Sequence, residues 1–254
     1  MTGAGVAGTG VTENRATTPE RIGAAAVVIP VHDEEELLPQ CLASVEQAVA
    51  AAVRERPGLA VVTVVVLDAC TDGSAAVPGP EVTVMEVDAR TVGVARHLGV
   101  DRALAELRGV GVGADRTWIA CTDADSVVPP DWLTHHLDLA DAGAHVVVGA
   151  VRPPLDDLSP DRAAAWRQRF VPGLATGHVH GANLGVRSDV YAAVGGYAPV
   201  EEHEDVGLVE RVRALGHRVV PTADAWVLTS ARLHGRTPGG YARYLREDLG
   251  RVAG

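Results

Sequence analysis

Aromatic residues are scarce: four Trp, four Tyr and one Phe make up 4% of the 254 residues. A core built from this chain rests on Val, Ala and Leu, which suit buried strands and helices. Cysteine is scarcer. Cys41, Cys70 and Cys121 are odd in number and no pair has CxxC spacing. That excludes a disulfide framework or a zinc cluster and points to reduced core thiols and a cytoplasmic setting. Long apolar runs are missing too, since none reaches the ~18 residues of a membrane span. The opening stretch MTGAGVAGTGVTENRATTPE has neither the basic start nor the apolar centre of a signal peptide. Residues 1–22 read as a flexible tail. Positive charge is in deficit, with 22 basic residues against 33 acidic and a net charge of -11. This excludes polymeric nucleic acid as a partner. A nucleotide, held by a few arginines or a metal, remains compatible with it.

Apolar residues are 47% of the chain, enough for one large domain over residues 23–254. The runs Ala24–Val31, Leu59–Asp68, Glu81–Asp88 and Thr117–Asp123 read as buried strands. Helices are expected over Pro39–Glu55, with Leu42, Val45, Val49 and Val53 as its inner face, and over Val92–Arg108. Strands without polar alternation, separated by helices, argue for a parallel sheet covered on both faces. Ligands in such sheets bind beyond the carboxyl ends of the strands. The second half, 127–254, is less regular. It shows a strand at Ala144–Val151, a short helix near Arg162–Phe170, and a helix ended by Gly195 and Gly196. An amphipathic helix closed by Gly216, a strand over His217–Ser230 and a final helix over 239–254 follow.

Asp123 and Asp125 stand at the end of the fourth strand with one residue between them. Two like charges this close repel, and burying them is costly without a compensating partner. A spacing of two can aim both at one side. Mg²⁺ and Mn²⁺ take oxygen ligands and are commonly held by one or two carboxylates plus substrate phosphates. The competing reading makes Asp125 or Ser126 a cap for a helix beginning at PPDWLTHHL.

Other motifs surround this pair. They are IPVHDEEELLPQCLASV, VVVLDACTDGSA, ARTVGVARHLGVDRAL, HGANLGVRSDVYAAVGGY and EEHEDVGLVERVRALG. Their order and spacing resemble the family 2 glycosyltransferases of GT-A fold, over Ala24 to Leu245. The resemblance implies an α/β architecture with a Rossmann-like, mostly parallel sheet. It implies a nucleotide-binding half over 23–126 and an acceptor half over 127–254. Pro30, Val31, His32 and Glu34 would cradle the nucleotide, and Asp68 would hydrogen-bond its base. Asp33, Glu35 and Glu36 read as a solvated acidic run, and Asp72 as a turn residue. Arg96 would meet phosphate or the base, and Asp123 with Ala124 the donor. Asp125, Asp123 and His234 would hold Mn²⁺ or Mg²⁺. Gly181, Ala182 and Asn183 would line the sugar or acceptor pocket. Asp205 would be the general base, oriented by Glu204. Arg232, His234 and Arg236 would close over the diphosphate. Two positions depart from the family pattern: Leu67 stands where an acid or amide is common, and His97 replaces an Asn.

The implied activity is metal-dependent, inverting transfer of a sugar, a hexosyl group above all, from a nucleotide-diphosphate sugar to an acceptor hydroxyl. Two alternatives stand beside it. A nucleotidyltransferase of related fold would favour a Gly-rich loop with a lysine after the first strand, and IPVHDEEE has neither. A non-catalytic nucleotide-sugar-binding protein is allowed by the departures at Leu67 and His97. The acceptor is open: a small molecule, a glycan or a lipid-linked group met at a membrane surface.

Overall fold

The computed structural model describes residues 21–170, 178–235 and 239–249. β1 (Ala24–Val31) is buried at every position. Its side chains alternate between two cores, as the period of a strand requires. Ala25, Val27, Ile29 and Val31 pack with Leu38, Cys41 and Ala48 of α1 (Leu38–Glu55). Ala24, Ala26 and Val28 pack with Ala95, Val100 and Ala103 of α2 (Val92–Leu107). Both faces are covered, which is why the strand sequence carries no polar alternation.

β2 (Ala60–Asp68), β3 (Thr83–Val87) and β4 (Thr117–Cys121) run parallel to β1 in the order β3-β2-β1-β4. Their carboxyl ends share one edge. Beyond β4 the sheet turns mixed. β5 (Ser126–Val127), β6 (Val146–Arg152), β7 (Leu184–Arg187) and β8 (Val219–Thr229) complete eight strands in the order β3-β2-β1-β4-β7-β6-β8-β5. β7 is antiparallel to β4 and β6, while β6 and β8 are parallel. Helices α3 (Trp132–Asp141), α4 (Pro160–Arg169), α5 (Ser188–Ala193), α6 (Glu204–Ala214) and α7 (Tyr241–Arg243) surround it. No described helix is long and apolar enough to cross a membrane.

Several expectations change. The inner face of α1 is Leu38, Cys41, Val45, Ala48 and Ala52. Of the four residues expected there, Val45 is buried, Leu42 and Val49 are half-buried, and Val53 is 41% exposed. Small residues allow the helix to lie close to the sheet, so Ala and Cys carry the contact that bulkier residues were expected to make. β7 sits inside the sheet, although its four residues are too few to show a period. The helix expected over 239–254 is α7 followed by a π-helical turn, Tyr244–Asp248, and residues 250–254 lie outside the described residues. Of the tail expected over 1–22, residues 1–20 lie outside the described residues. Ile22 belongs to the first core, and its N–H donates to Asp141 Oδ1 at 2.8 Å.

Candidate active site

A cleft of about 1090 Å³ opens along the carboxyl edge of the sheet. Pro30, Val31, His32 and Glu34 line it from the end of β1, Asp68 from β2, and Asp123, Ala124 and Asp125 from the loop after β4. Arg96, Gly181, Ala182, Glu204, Asp205 and Arg232 line it from elsewhere in the chain. The structure thus gathers most of the sequence-derived site residues in one place.

Arg96 is 3% exposed and bridges two carboxylates, Asp123 Oδ1 and Glu204 Oε1. Burial works against its charge, but Asp123 and Glu204 outweigh this and raise its pKa. Gly181 makes the bridge possible: a Cβ there would stand 2.3 Å from the Arg96 guanidinium. The guanidinium expected to meet phosphate is therefore committed to joining the DxD pair to the start of α6. Burial pushes the Glu204 carboxyl above the usual range, with Arg96 pulling it back.

Asp125 does not cap a helix, because α3 begins at Trp132 with Asp131 at its N-cap. Its Oδ2 accepts from Arg232 at 2.6 Å, and its Oδ1 accepts from Ser126 Oγ and Thr229 Oγ1. Arg232 also pairs with Glu34 Oε1 at 2.6 Å. Burial first, then the charge of Asp123, push the Asp125 carboxyl up to about 6, and Arg232 pulls it down. These hard oxygen donors form a site that already draws a cation, which fits Mn²⁺ or Mg²⁺. His234, expected as a third ligand, is exposed and does not line the cleft. Arg236 lies outside the described residues.

Among the described residues, a trio of His, Cys, Asp or Glu side chains converges to ligand spacing at Asp33, Cys70 and Asp72. Hydrogen bonds between two loops account for this gathering. Asp33 Oδ1 accepts from the Thr71 N–H at 2.6 Å. Asp72 accepts from the N–H groups of Glu35 and Ser74. Glu35 accepts in turn from the Gly73 N–H at 2.6 Å. Asp33 and Glu35 are thus loop ties rather than a merely solvated run, whereas Glu36 is exposed as expected. Asp68 is also a loop tie: its oxygens accept from the backbone N–H groups of Ala89, Arg90 and Thr91 at 2.7, 2.8 and 3.1 Å. The His32 Nδ1–H donates to the Asp68 carbonyl at 2.7 Å. Leu67 is buried in the first core, and His97 meets the Tyr191 hydroxyl at 3.0 Å outside the cleft lining.

Asn183 is the clearest departure. It is fully buried and does not line the cleft. Its Oδ1 accepts from Trp132 Nε1 at 2.9 Å and His136 Nε2 at 3.0 Å. Its Nδ2 donates to the carbonyls of Ala150 and Ala225. His136 Nδ1 in turn accepts from Trp118 Nε1 at 3.4 Å. Glycine at 149 is required, since a Cβ there would stand 2.2 Å from Asn183. Asn183 therefore joins β6, β7, β8 and α3 behind the cleft. Scattered across four elements, this network leaves no local signal in the sequence.

Burial pushes the His136 imidazole down to about 4. In the unfolded chain a histidine titrates near 6.5, so that state binds more protons between pH 6.5 and 4. The contribution to stability is full above 6.5 and is lost as the pH falls towards 4. His180, also pushed down to about 4 by burial, acts in the same sense. Asp125, raised to about 6, acts in the opposite sense and offsets part of this. We expect His136 to contribute a loss of about 1–2 kcal/mol between pH 7 and pH 5. His136→Gln keeps a donor towards Asn183 and cannot be protonated. Urea midpoints should fall less with acid in this variant than in the unchanged chain. An identical fall would mean that His136 titrates normally.

Asp205 lines the cleft one residue into α6, beside Glu204. His203, at the helix N-cap, holds a left-handed backbone with φ of +61°, which is uncommon outside glycine. His180 lines the same cleft and feels the charge of Asp205. Sequence reasoning missed Trp166, Phe170, Tyr241 and Tyr244, which also line the cleft. Their separation along the chain hid their proximity.

A curled, mostly parallel sheet with helices around it and a cleft along its carboxyl edge is the GT-A fold of glycosyltransferases. The chain belongs to glycosyl transferase family 2, whose model matches residues 26–194, more than half of its length. It is similar in fold to the mannosyltransferase PcManGT from Pyrobaculum calidifontis, solved with GDP-Man and Mn²⁺. The TM-score is 0.57 at 19% identity, over 86% of this chain and 60% of that one. TarS 1-349 from S. aureus gives 0.57 at 13% identity, over 91% and 64%. Glucosyl-3-phosphoglycerate synthase from Mycobacterium tuberculosis, with Mn²⁺, UDP and phosphoglyceric acid, gives 0.51 at 15%, over 91% and 78%. The chain thus spans less than two thirds of the first two structures, and these likenesses show the fold. No curated protein matches the chain.

Proposed function

We propose that this chain transfers a hexosyl group from a nucleotide-diphosphate sugar to an acceptor hydroxyl with inversion, aided by Mn²⁺ or Mg²⁺. The observation that carries the reading is the Asp123–Arg96–Glu204 bridge. It ties the Asp123–Asp125 pair to the start of α6, where Asp205, which lines the same cleft, is the proposed base. Residues 23–126 supply the nucleotide half, and 127–254 the acceptor half. Pro30, Val31 and His32 offer a wall for the base and ribose. Asp125, with Asp123, would hold the metal. When bound, that ion supplies positive charge that stabilises the departing nucleoside diphosphate. Arg232 exchanges its carboxylate partners for the diphosphate oxygens, which guanidinium pairs with well. Asp205 takes the proton of the acceptor hydroxyl. That oxygen bonds to the anomeric carbon from the face opposite the phosphate, and the carbon–phosphate-oxygen bond breaks. The complexes of PcManGT with GDP-Man and Mn²⁺, and of the M. tuberculosis synthase with UDP and Mn²⁺, support a nucleotide-sugar donor and a divalent ion.

Isothermal titration of GDP and UDP, with and without Mn²⁺, tests this. Binding should require the ion, and Asp125→Asn should weaken Mn²⁺-dependent affinity by about tenfold or more, about 1.4 kcal/mol. Equal affinity in the variant would remove Asp125 from the metal site.

A further inference from the structure

We infer that the acceptor is an uncharged, hydroxyl-bearing ring compound whose apolar face lies on an aromatic wall of the cleft. This deepens the glycosyl-transfer reading and rests on it. Trp166, Phe170, Tyr241 and Tyr244 are four of the nine Trp, Tyr and Phe residues in the chain, and all four line this cleft. Trp166 and Phe170 stack at 4.5 Å between ring centres, with 18° between planes. Tyr241 and Tyr244 stack at 5.7 Å and 28°. His180 meets Tyr241 edge-on at 5.7 Å, which links the wall to the Asp205 side of the cleft. These rings belong to a small core of their own, with Leu158, Leu245 and Leu249 behind them. The backing holds the wall in place independently of the two sheet cores. Flat rings present a large apolar area to a ligand at little entropic cost.

The wall also has an unused polar atom. The Tyr241 hydroxyl is buried and makes no hydrogen bond of acceptable geometry. The polar group that it faces is the Trp166 indole, a donor only. The hydroxyl proton therefore has no acceptor among the described residues, and an oxygen of a bound ring would supply one.

Charge sets the second half of the inference. The described residues lining the cleft include eight carboxylates and four guanidiniums. Arg232, paired with Glu34 and Asp125, is the one assigned to the diphosphate, while Arg90 with Asp88 and Arg96 with Asp123 and Glu204 are already engaged. Arg169 donates to the Asp248 carbonyl. Glu201, Glu202 and Asp205 line the cleft at and just before the start of α6. Among the described residues lining the cleft, a phosphate- or carboxylate-bearing acceptor would meet net negative charge, which disfavours it. A neutral ring with hydroxyls meets apolar faces, a donor and several acceptors.

The test is calorimetric titration of the full chain loaded with UDP or GDP and Mn²⁺. The probes are methyl glucoside, 4-hydroxybenzyl alcohol, glucose 6-phosphate and 3-phosphoglycerate. The first two separate a sugar ring from an aromatic ring as the source of the shared chemistry. A neutral probe should bind about tenfold or more tightly than either phosphate. Tyr244→Ala should weaken that probe by about fivefold or more, and the milder Tyr241→Phe by about threefold or more, with nucleotide affinity unchanged in both. A phosphate probe binding as well as the neutral ones would overturn the inference. So would nucleotide binding without any neutral-ring binding, or unchanged neutral-probe affinity in both variants. Failure of the nucleotide itself to bind would instead overturn the glycosyl-transfer reading, and the acceptor inference with it.

Discussion

Asp205→Asn should lower transfer turnover by about 10²–10⁴, the usual worth of general acid–base catalysis, with nucleotide affinity nearly unchanged. The amide keeps the size of the carboxylate but accepts no proton at neutral pH. Asp205 lines the cleft from the first turn of α6, and the proposed donor site at the strand ends does not include it. Glu204 cannot stand in for it, because its carboxylate is buried against Arg96. Single-turnover rates with saturating donor, read beside calorimetric nucleotide affinity, separate the two effects. A rate within about threefold of the unchanged chain would fall far short of a base's contribution and would reject Asp205 in that role. A parallel loss of nucleotide affinity would mean that Asp205 acts on the donor instead.

Arg96→Met should destabilise the fold by about 3–5 kcal/mol, the range for removing one partner of a buried ion pair. Met fills similar volume but leaves Asp123 and Glu204 facing each other without a cation. Glu204 already has its carboxyl raised by burial, and Arg96 is the group that restrains it. Without Arg96 its pKa in the folded state rises further. The sign follows from linkage: a carboxyl raised in the folded state costs stability above that pKa and ceases to cost it once protonated. The deficit of Arg96→Met should therefore shrink as the pH falls from 7 towards 5. Adding Glu204→Gln should recover part of the loss at pH 7. Urea unfolding of the single and double variants measures both outcomes. A deficit below about 1 kcal/mol would place the bridge among the weak surface pairs. A deficit that ignores pH and Glu204→Gln would assign the loss to packing.

The sequence by itself determined the parallel half of the sheet, its two covering helices and the acids at its carboxyl edge. These features are local. A strand buried on both faces shows as an unbroken apolar run, and an acid directly after such a run must lie at the strand's end. The family resemblance rested on the same local runs in their order, and it placed Asp123, Asp125, Glu204 and Asp205 in one cleft, where the structure also has them. Other features depended on contacts between distant parts of the chain. Arg96 meets Glu204 across 108 residues, and Arg232 meets Asp125 across 107. Only the crossing of β1, β4 and the α6 start decides that Arg96 is enclosed by carboxylates rather than open to phosphate. Asn183 closes the Gly181-Ala182-Asn183 motif that suggested a pocket wall, yet the tertiary structure turns it inwards to four partners. A motif specifies which residue types are near the edge of a site. Which way each side chain points depends on the neighbours that satisfy its hydrogen bonds, and those neighbours come together only when the sheet is assembled.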